Sequence, residues 1–368
     1  MRLLLAIVLT ACVAGLAFAA LPKDTGRLRR TADPWRPAPP VAAKRRRSKP
    51  RRAPVRPPQF VVVSFDGSGG GQMWRYWRAV GRRAHAHFTF FVSGAYLLDW
   101  AHRLRYRPPG HDPGSSAIGF ALATGDLTVA KTLRGIVAGY RDGNEIGTHF
   151  VGHFCGIDGV GNWTAADWRS ELGQFDALLF TAHRNLPFRR GEIVGDRTPC
   201  LEGNLHVLYP VLKQSGFRYD ASRIAPLGQW PVQMDGVWSF PLAEIPFIGH
   251  TFRVVSMDYN FFANQVDYSP ARAELETYRS FWNAFRASYL RNRAPLSIGQ
   301  HFESWNGWAY DHALTRFLLR ACRLPEVRCV SFRQLADFLD SVPARRLRRY
   351  RAGRFPRLAA ARALLNRG

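Results

Sequence analysis

Residues 60–71 have the sequence FVVVSFDGSGGG, in which an apolar run is followed by one acid and a glycine-rich loop. A short apolar run that ends at a turn signal is typical of a buried β-strand. The acid, Asp66, comes where this strand is predicted to end. Its alternative role is structural, as an aspartate that caps the turn before the loop.

The same pattern continues along the chain, where short apolar runs alternate with longer helical patterns. The predicted strands are Phe60–Phe65, Phe88–Ser93, Glu145–Phe150, Ile193–Arg197, Phe217–Ser222, Arg253–Asp258, Leu296–Phe302 and Arg328–Phe332. The predicted helices are Trp74–Arg83, Val129–Tyr140, Ala165–His183, Leu205–Gln214, Arg272–Leu290, Ala309–Cys322 and Arg333–Leu339. About eight such units in roughly 285 residues predict an α/β fold with a parallel sheet, arranged as a (β/α) barrel. The stretch Leu97–Thr124 interrupts this rhythm and is predicted to be a surface insertion that borders a substrate cleft.

The two ends of the chain carry most of its positive charge. The sequence has 52 Lys and Arg against 27 Asp and Glu, a net charge of +25. Residues 23–57 hold 13 basic and 2 acidic side chains, and residues 343–368 hold 9 Arg and no acid. We therefore expect a basic, Pro-rich linker at 21–58, a nearly neutral domain at 59–342 and a basic amphipathic tail at 343–368.

Blocks of like charge stay extended and usually meet anionic surfaces. The basic extensions could bind an anionic membrane or a wall polymer, and the tail could equally be a solvated one. Specific nucleic-acid recognition is not expected, because the charge lies outside the domain and would give salt-sensitive, non-specific binding. The oligomeric state is not predicted.

The first 20 residues predict export from the cytoplasm. Arg2 precedes an apolar run from Leu3 to Leu16, and residues 17–19 form a small-residue cleavage site for a signal peptide. The run Leu3–Ala20 is also long enough to remain as an uncleaved anchor. Residues 9–12, which end in Cys12, have the shape of a lipoprotein cleavage box. Each alternative places the domain in the periplasm, at the cell envelope or outside the cell.

An oxidising compartment allows disulfides among the four cysteines that follow the signal. Cys322 and Cys329 flank a short predicted helix-to-strand connection and could close it. Cys155 and Cys200 could form a second pair, and free buried thiols are the alternative.

Polar side chains of reactive types follow the predicted strands: Asp66, His149, His153, Arg197, Asp220 and His301. In parallel barrels the carboxyl ends of the strands meet at one face, where the chemistry takes place. His149 and His153 are four residues apart, so both imidazoles could bind one metal ion. Arg197 could hold a carboxylate ionised, and His301 could act as a general acid. Each has a structural alternative, but together they predict a convergent site.

These residues resemble the polysaccharide deacetylase family (NodB homology domain, carbohydrate esterase family 4) in their order over most of residues 59–340. Residues 64–67, Ser-Phe-Asp-Gly, are similar to the family's first motif, usually Thr-Phe-Asp-Asp-Gly. Residues 149–153 are similar to its His-Ser/Thr-x-x-His motif, with Phe150 at the hydroxyl position. Residues 197–200 resemble its Arg-x-Pro-Tyr motif, with Cys200 in place of tyrosine. Asp220 and His301 correspond to the aspartate of its fourth motif and the histidine of its last.

The resemblance implies a deformed (β/α) barrel of seven or eight parallel strands that removes acetyl groups from N-acetylated polysaccharides of the envelope or exopolysaccharide. It also implies a divalent metal, Zn²⁺ or alternatively Co²⁺ or Ni²⁺, bound by Asp66, His149 and His153. On this reading Asp66 is the base that activates water and Arg197 orients it. His301 protonates the departing amine, with Asp220 tuning the pKa of His301.

The first motif departs from the family, because the second carboxylate, a metal ligand, falls on Gly67. Three alternatives are open: Asp66 itself binds the metal, Ser68 supplies a weak oxygen ligand, or the site binds metal poorly. In the last case the domain would be a glycan-binding protein without catalysis. Its tryptophans could then stack on sugar rings, although tryptophans three residues apart are more often core: Trp74, Trp77, Trp305 and Trp308.

Overall fold

The computed structural model describes residues 56–181, 184–356 and 365. The predicted signal or anchor at 1–20, most of the linker at 21–58 and the end of the tail lie outside the described residues. Among the described helices, none is both long enough and apolar enough to span a membrane.

The described chain contains a large, mostly parallel sheet and a small second sheet. The strands are β1 Gln59–Gly67, β2 Thr89–Val92, β3 Glu145–Thr148, β4 Gly195–Asp196, β5 Tyr219–Asp220, β6 Ile224–Pro226, β7 Val232–Met234, β8 Val237–Ser239, β9 Leu242–Pro246, β10 Arg253–Val255, β11 Leu296–His301 and β12 Val327–Cys329. The large sheet has the order β11-β1-β2-β3-β4-β5-β8-β7, with β12 also paired to β1. It is parallel except for the β7–β8 pair and curls into a half-barrel.

Helices follow most of the parallel strands and cover the outside of the curled sheet. The helices of the described residues are α1 Gln72–Ala84, α2 Val129–Arg141, α3 Ala165–Leu179, α4 Leu205–Gln214, α5 Asp258–Phe262, α6 Pro270–Leu290, α7 Trp305–Ala321, α8 Phe332–Ser341 and α9 Ala344–Arg351. The predicted α/β fold with a deformed barrel of seven or eight parallel strands is thereby confirmed.

One predicted barrel strand belongs to the second sheet. The prediction at Arg253–Asp258 corresponds to β10, which pairs antiparallel with β9 instead of joining the parallel sheet. The second sheet has the order β10-β9-β6, and a single bridge from Met257 to Gly299 connects it to β11. Strands β6 to β9 were not predicted, because they are only three to five residues long and lack a clear alternation.

Strand β1 is buried on both faces, which explains its continuous apolar run. Val61, Val63 and Phe65 pack into the core beneath the outer helices. Phe60 and Val62 point the other way, into a second core that α8 and α9 cover. The helix α9 lies in the predicted basic tail, and its apolar residues Leu347 and Tyr350 are buried against the domain.

Helices α1 and α2 approach each other closely at Trp74. This side chain is 1% exposed and lies against two glycines of α2, Gly135 and Gly139. A Cβ atom on Gly135 would be 2.3 Å from Trp74 Cδ1. Trp74 Nε1 also donates a hydrogen bond of 3.0 Å to the carbonyl oxygen of Ser68. The small residues of α2 therefore let α1 fix the glycine-rich loop after β1.

We expect Gly135→Ala to lower the free energy of unfolding by about 1–3 kcal/mol, because Trp74 has no room to move. Gly173 is the matched control, since it lies inside α3 with no atom within 4 Å of an added Cβ. Gly173→Ala should instead stabilise the protein by about 0.5–1 kcal/mol. Denaturant unfolding of the two variants measures both changes, and equal effects of the same sign would contradict this packing.

Candidate active site

The carboxyl ends of the parallel strands form a cleft of about 670 Å³. Asp66 lies near the end of β1 and is in register with His301 at the end of β11. His149 directly follows β3, and His153 lies in the same loop. All four side chains line the cleft. The structure thus brings together residues that are up to 235 positions apart in the sequence.

Arg197 directly follows β4 and is completely buried. Its guanidinium donates hydrogen bonds from Nη1 to Asp66 Oδ1 at 2.9 Å and to Ser64 Oγ at 2.8 Å. Its Nε donates to the carbonyl oxygen of Ala221 at 2.9 Å. Burial alone would raise the pKa of Asp66, but the positive charge and hydrogen bond of Arg197, together with the nearby His149 and His301, outweigh burial and lower that pKa. Asp66 is therefore held as a carboxylate in a fixed orientation.

The main chain of Arg197 orients one of the two histidines. His149 Nδ1 lies 2.7 Å from the carbonyl oxygen of Arg197. Because a carbonyl oxygen can only accept, Nδ1 carries the proton and Nε2 keeps its lone pair. Burial lowers the pKa of His149 to about 3. The imidazole is consequently neutral and offers one nitrogen as a ligand.

The second histidine lies beside the first. The ring centroids of His149 and His153 are 4.8 Å apart, and burial lowers the pKa of His153 as well. Two neutral imidazoles and one ionised carboxylate in one cleft fit a divalent cation, because metal ligands must be deprotonated. His149, His153 and Asp66 are therefore the candidate ligands, although their ligand atoms do not all lie within 4.8 Å of one another.

The cysteines near His153 do not add to this ligand set. The possible ligand atoms of His153, Cys155 and Cys200 lie within 4.8 Å of one another. However, Cys155 and Cys200 form a disulfide. A disulfide has no thiolate to bind a metal. The other predicted pair, Cys322 and Cys329, forms a disulfide as well.

At Gly67, where the family that the sequence resembles has a carboxylate, the backbone conformation disfavours a side chain. Its φ is +79°, and an added Cβ would contact the ring of Tyr96 at 3.4 Å. The Ser68 hydroxyl donates to the carbonyl oxygen of Phe65 at 3.1 Å and is buried. The alternative in which Ser68 replaces the missing ligand therefore has little support, and Asp66 is the carboxylate that remains in the first motif.

His301 pairs with Asp258, not with Asp220 as predicted. Asp258 Oδ1 lies 2.7 Å from His301 Nδ1, and Asp258 Oδ2 accepts the main-chain N–H of His301 at 2.7 Å. Burial would lower the pKa of His301, but the negative charge of Asp258 raises it to about 9. At neutral pH His301 therefore carries a proton that it can donate.

Asp220 faces the other side of the sheet, toward α4. Its Oδ2 accepts a hydrogen bond of 2.9 Å from the hydroxyl of Tyr209, and its Oδ1 accepts from the main chain of Ser222. It is in register with the buried Asp196 of β4. The prediction that Asp220 tunes the pKa of His301 is wrong, because Asp258 makes that contact. Position at a strand end does not determine which face of the sheet a side chain takes.

No protein-family model matches the sequence, and no curated protein is significantly similar to it. A structure of a candidate polysaccharide deacetylase from Mycobacterium smegmatis superposes with a TM-score of 0.51 at 17% identity, covering 78% of this chain and 94% of the other. The fold is that of the polysaccharide deacetylases.

Two further structures with this fold differ more. A family 4 carbohydrate esterase from Streptomyces lividans, in complex with acetate, gives a TM-score of 0.38 at 13% identity and covers 71% of this chain and 88% of its own. A family 4 pseudoenzyme from Bacillus anthracis gives 0.42 at 10% identity, with 77% of this chain and 66% of its own covered.

Sequence reasoning missed two side chains that line the cleft, Tyr96 and Glu303, and the buried Asp258 that contacts His301. Asp258 was placed at the end of a predicted strand but was not considered as a partner for His301. Burial raises the pKa of both Tyr96 and Glu303. For Asp258 a signal existed, since it follows the apolar run 254–257 just as Asp66 follows its own strand.

The His301–Asp258 pair predicts a specific titration in the metal-free protein. NMR of the imidazole should show a His301 pKa near 9 in the wild type. In Asp258→Asn it should fall toward or below the ordinary 6.5, since burial then acts without a counter-ion. Asp220→Asn is the control and should leave the His301 titration in place. A larger fall of the His301 pKa in Asp220→Asn than in Asp258→Asn would instead identify Asp220 as the partner of His301.

Proposed function

We propose that this protein is an exported, metal-dependent N-deacetylase that hydrolyses acetamido groups of envelope or exopolysaccharide amino sugars. The observation that carries the proposal is the convergence of Asp66, His149, His153 and His301 on one cleft. The deacetylase fold adds support, because these side chains lie at or just after the carboxyl ends of β1, β3 and β11 of its parallel sheet.

The residues on the Arg197 side of the cleft suit activation of water. A bound divalent cation supplies Lewis-acid polarisation of the amide carbonyl and activation of water at neutral pH. Asp66 is kept ionised by Arg197, so it can accept the proton of the attacking water or serve as a ligand. His149 and His153 stay neutral, because their burial disfavours the charged forms.

The residues on the other side suit protonation of the leaving group. An amine leaves an amide only when it is protonated, and His301 holds a proton at neutral pH because of Asp258. The His301 side chain is 26% exposed, so it can reach a substrate. Asp258 is buried, its Oδ1 contacts the imidazole Nδ1, and its Oδ2 accepts the main-chain N–H of the same residue, so that the imidazole is held in one orientation.

The rim of the cleft suits a sugar ring more than a small apolar ligand. Tyr259 is 52% exposed and packs edge-on against Trp305 with 5.7 Å between the ring centroids. Both line the cleft, together with the carboxyl group of Glu303. By contrast, Trp74 and Trp77 are core residues, so the hypothesis that they stack on sugars is wrong.

The two disulfides support a location outside the cytoplasm, since such bonds persist in oxidising compartments. This agrees with the export signal that the first 20 residues predict. Export and the identity of the polymer both remain part of the proposal.

Acetate release from N-acetylglucosamine oligomers and from peptidoglycan fragments, with Zn²⁺ or Co²⁺ added, tests the proposal. His149→Ala should abolish both metal binding and acetate release. His301→Ala should keep the metal but lower kcat by about 10²–10⁴-fold, the usual contribution of a general acid. His206→Ala, an exposed histidine of α4 outside the cleft lining, should match the wild type.

A glycan-binding protein without catalysis is the second candidate, and Gly67 favours it because one expected carboxylate is missing. Retention of the wild-type chain on N-acetylated polysaccharide with no acetate released under either metal would support this candidate. It would also overturn the proposed hydrolase.

A further inference from the structure

His153 lacks the hydrogen bond that fixes His149. His149 donates its Nδ1 proton to the carbonyl oxygen of Arg197 at 2.7 Å. Within the described chain, the His153 ring has no hydrogen bond to an oxygen of another residue: its Nδ1 lies 3.7 Å from the Sγ atom of Cys155, and the ring interacts with its own main chain. Histidines that bind metals usually donate their second N–H to a carboxylate or a carbonyl oxygen, and a disulfide sulfur is only a weak acceptor. The orientation of His153 must therefore depend on its backbone.

The backbone at His153 is itself in an unfavourable conformation. Its φ is +59°, a region that costs free energy for any residue other than glycine. Such a conformation persists only where the surrounding structure imposes it. On its N-terminal side the loop is well held, since Val151 donates its N–H to Glu171 Oε2 at 3.1 Å and Gly152 accepts from Ala117 at 2.8 Å.

The C-terminal side of His153 is held by the disulfide. Cys155 is bonded to Cys200, and their Cα atoms are 6.0 Å apart. Beyond Cys155, the next link from this loop to the Cys200 loop is the N–H of Gly156, which donates to Glu202 Oε2 at 2.6 Å. The disulfide thus ties the His153 backbone to a neighbouring loop at a point two residues from the imidazole.

Cys200 belongs to the loop that already positions the rest of the site. It lies three residues after Arg197, whose guanidinium holds Asp66 and whose carbonyl holds His149. Through the disulfide, the same loop also positions His153, the third proposed ligand. The sulfurs act only through His153 and are not ligands themselves.

We propose that the Cys155–Cys200 disulfide positions His153 for metal binding and takes the place of the missing hydrogen bond. This inference rests on the proposed function, since it concerns the same metal ligands. The disulfide forms when two thiols lose two protons and two electrons to a protein disulfide of the oxidising compartment, which becomes a dithiol. Full metal affinity is accordingly reached only after the chain enters such a compartment.

The test compares two variants of the full chain that each lack one disulfide. Cys155→Ala/Cys200→Ala removes the bridge beside His153, and Cys322→Ala/Cys329→Ala removes the bridge that lies outside the cleft lining. Zn²⁺ affinity is measured by competition with a chromophoric chelator, and the Co²⁺ form by its visible absorption. Circular dichroism and denaturant unfolding show whether each variant folds.

We expect Cys155→Ala/Cys200→Ala to bind Zn²⁺ about 10- to 100-fold more weakly, the usual effect of losing the group that orients a ligand. Its Co²⁺ spectrum should change, because His153 no longer binds in the same way. The Cys322→Ala/Cys329→Ala protein should keep the wild-type affinity and spectrum. If the first variant does not fold, Cys155→Ser/Cys200→Ser replaces it in the same measurements.

Wild-type metal affinity and spectrum in the Cys155/Cys200 variant would overturn this inference alone. An equal loss in both double variants would also overturn it, because the effect would then be a general loss of stability. A wild-type chain that binds neither metal would overturn the proposed function and this inference with it.

Discussion

The buried guanidinium of Arg197 is the constraint on which the site depends. A fully buried charge is stable only when it is paired and its hydrogen bonds are satisfied. Arg197 is paired with Asp66, and its Nη1 and Nε also donate to Ser64 of β1 and to the carbonyl of Ala221 after β5, while its Nη2 has no hydrogen-bond partner among the described residues. These hydrogen bonds therefore connect the end of β4 to β1 on one side of it and to the residue after β5 on the other. Because Asp66 must stay ionised to balance the charge of Arg197, the same contact keeps its carboxylate able to accept a proton or to serve as a ligand.

The charges in the cleft are divided between its two sides. His149 and His153 are neutral because burial disfavours their charged forms, and at His149 the positive charge of Arg197 acts in the same direction. His301 is protonated because a buried carboxylate, Asp258, faces it. One side of the cleft can thus hold a cation, while the other can donate a proton. A hydrolysis that needs both an activated water and a protonated amine requires such a division.

The sequence allowed prediction of those features that depend on local pattern. The apolar run of β1 was recognised because the strand is buried on both faces, and Asp66, His149, Arg197 and His301 were recognised because they follow strands. Features that depend on register and on distant packing were not accessible. Asp220 and Asp258 both end predicted strands, and only the tertiary structure shows that one faces α4 and the other His301. Tyr96 and Gly67 likewise line one cleft, although no local pattern relates their segments.

X-ray absorption at the zinc edge of the Zn²⁺-loaded protein is the most direct measurement of the central claim. The account predicts one zinc ion bound by two imidazole nitrogens, with oxygen ligands completing the shell and no sulfur. A shell with fewer than two imidazoles, or one that contains sulfur, would contradict the arrangement of His149, His153 and Asp66 around a common ion.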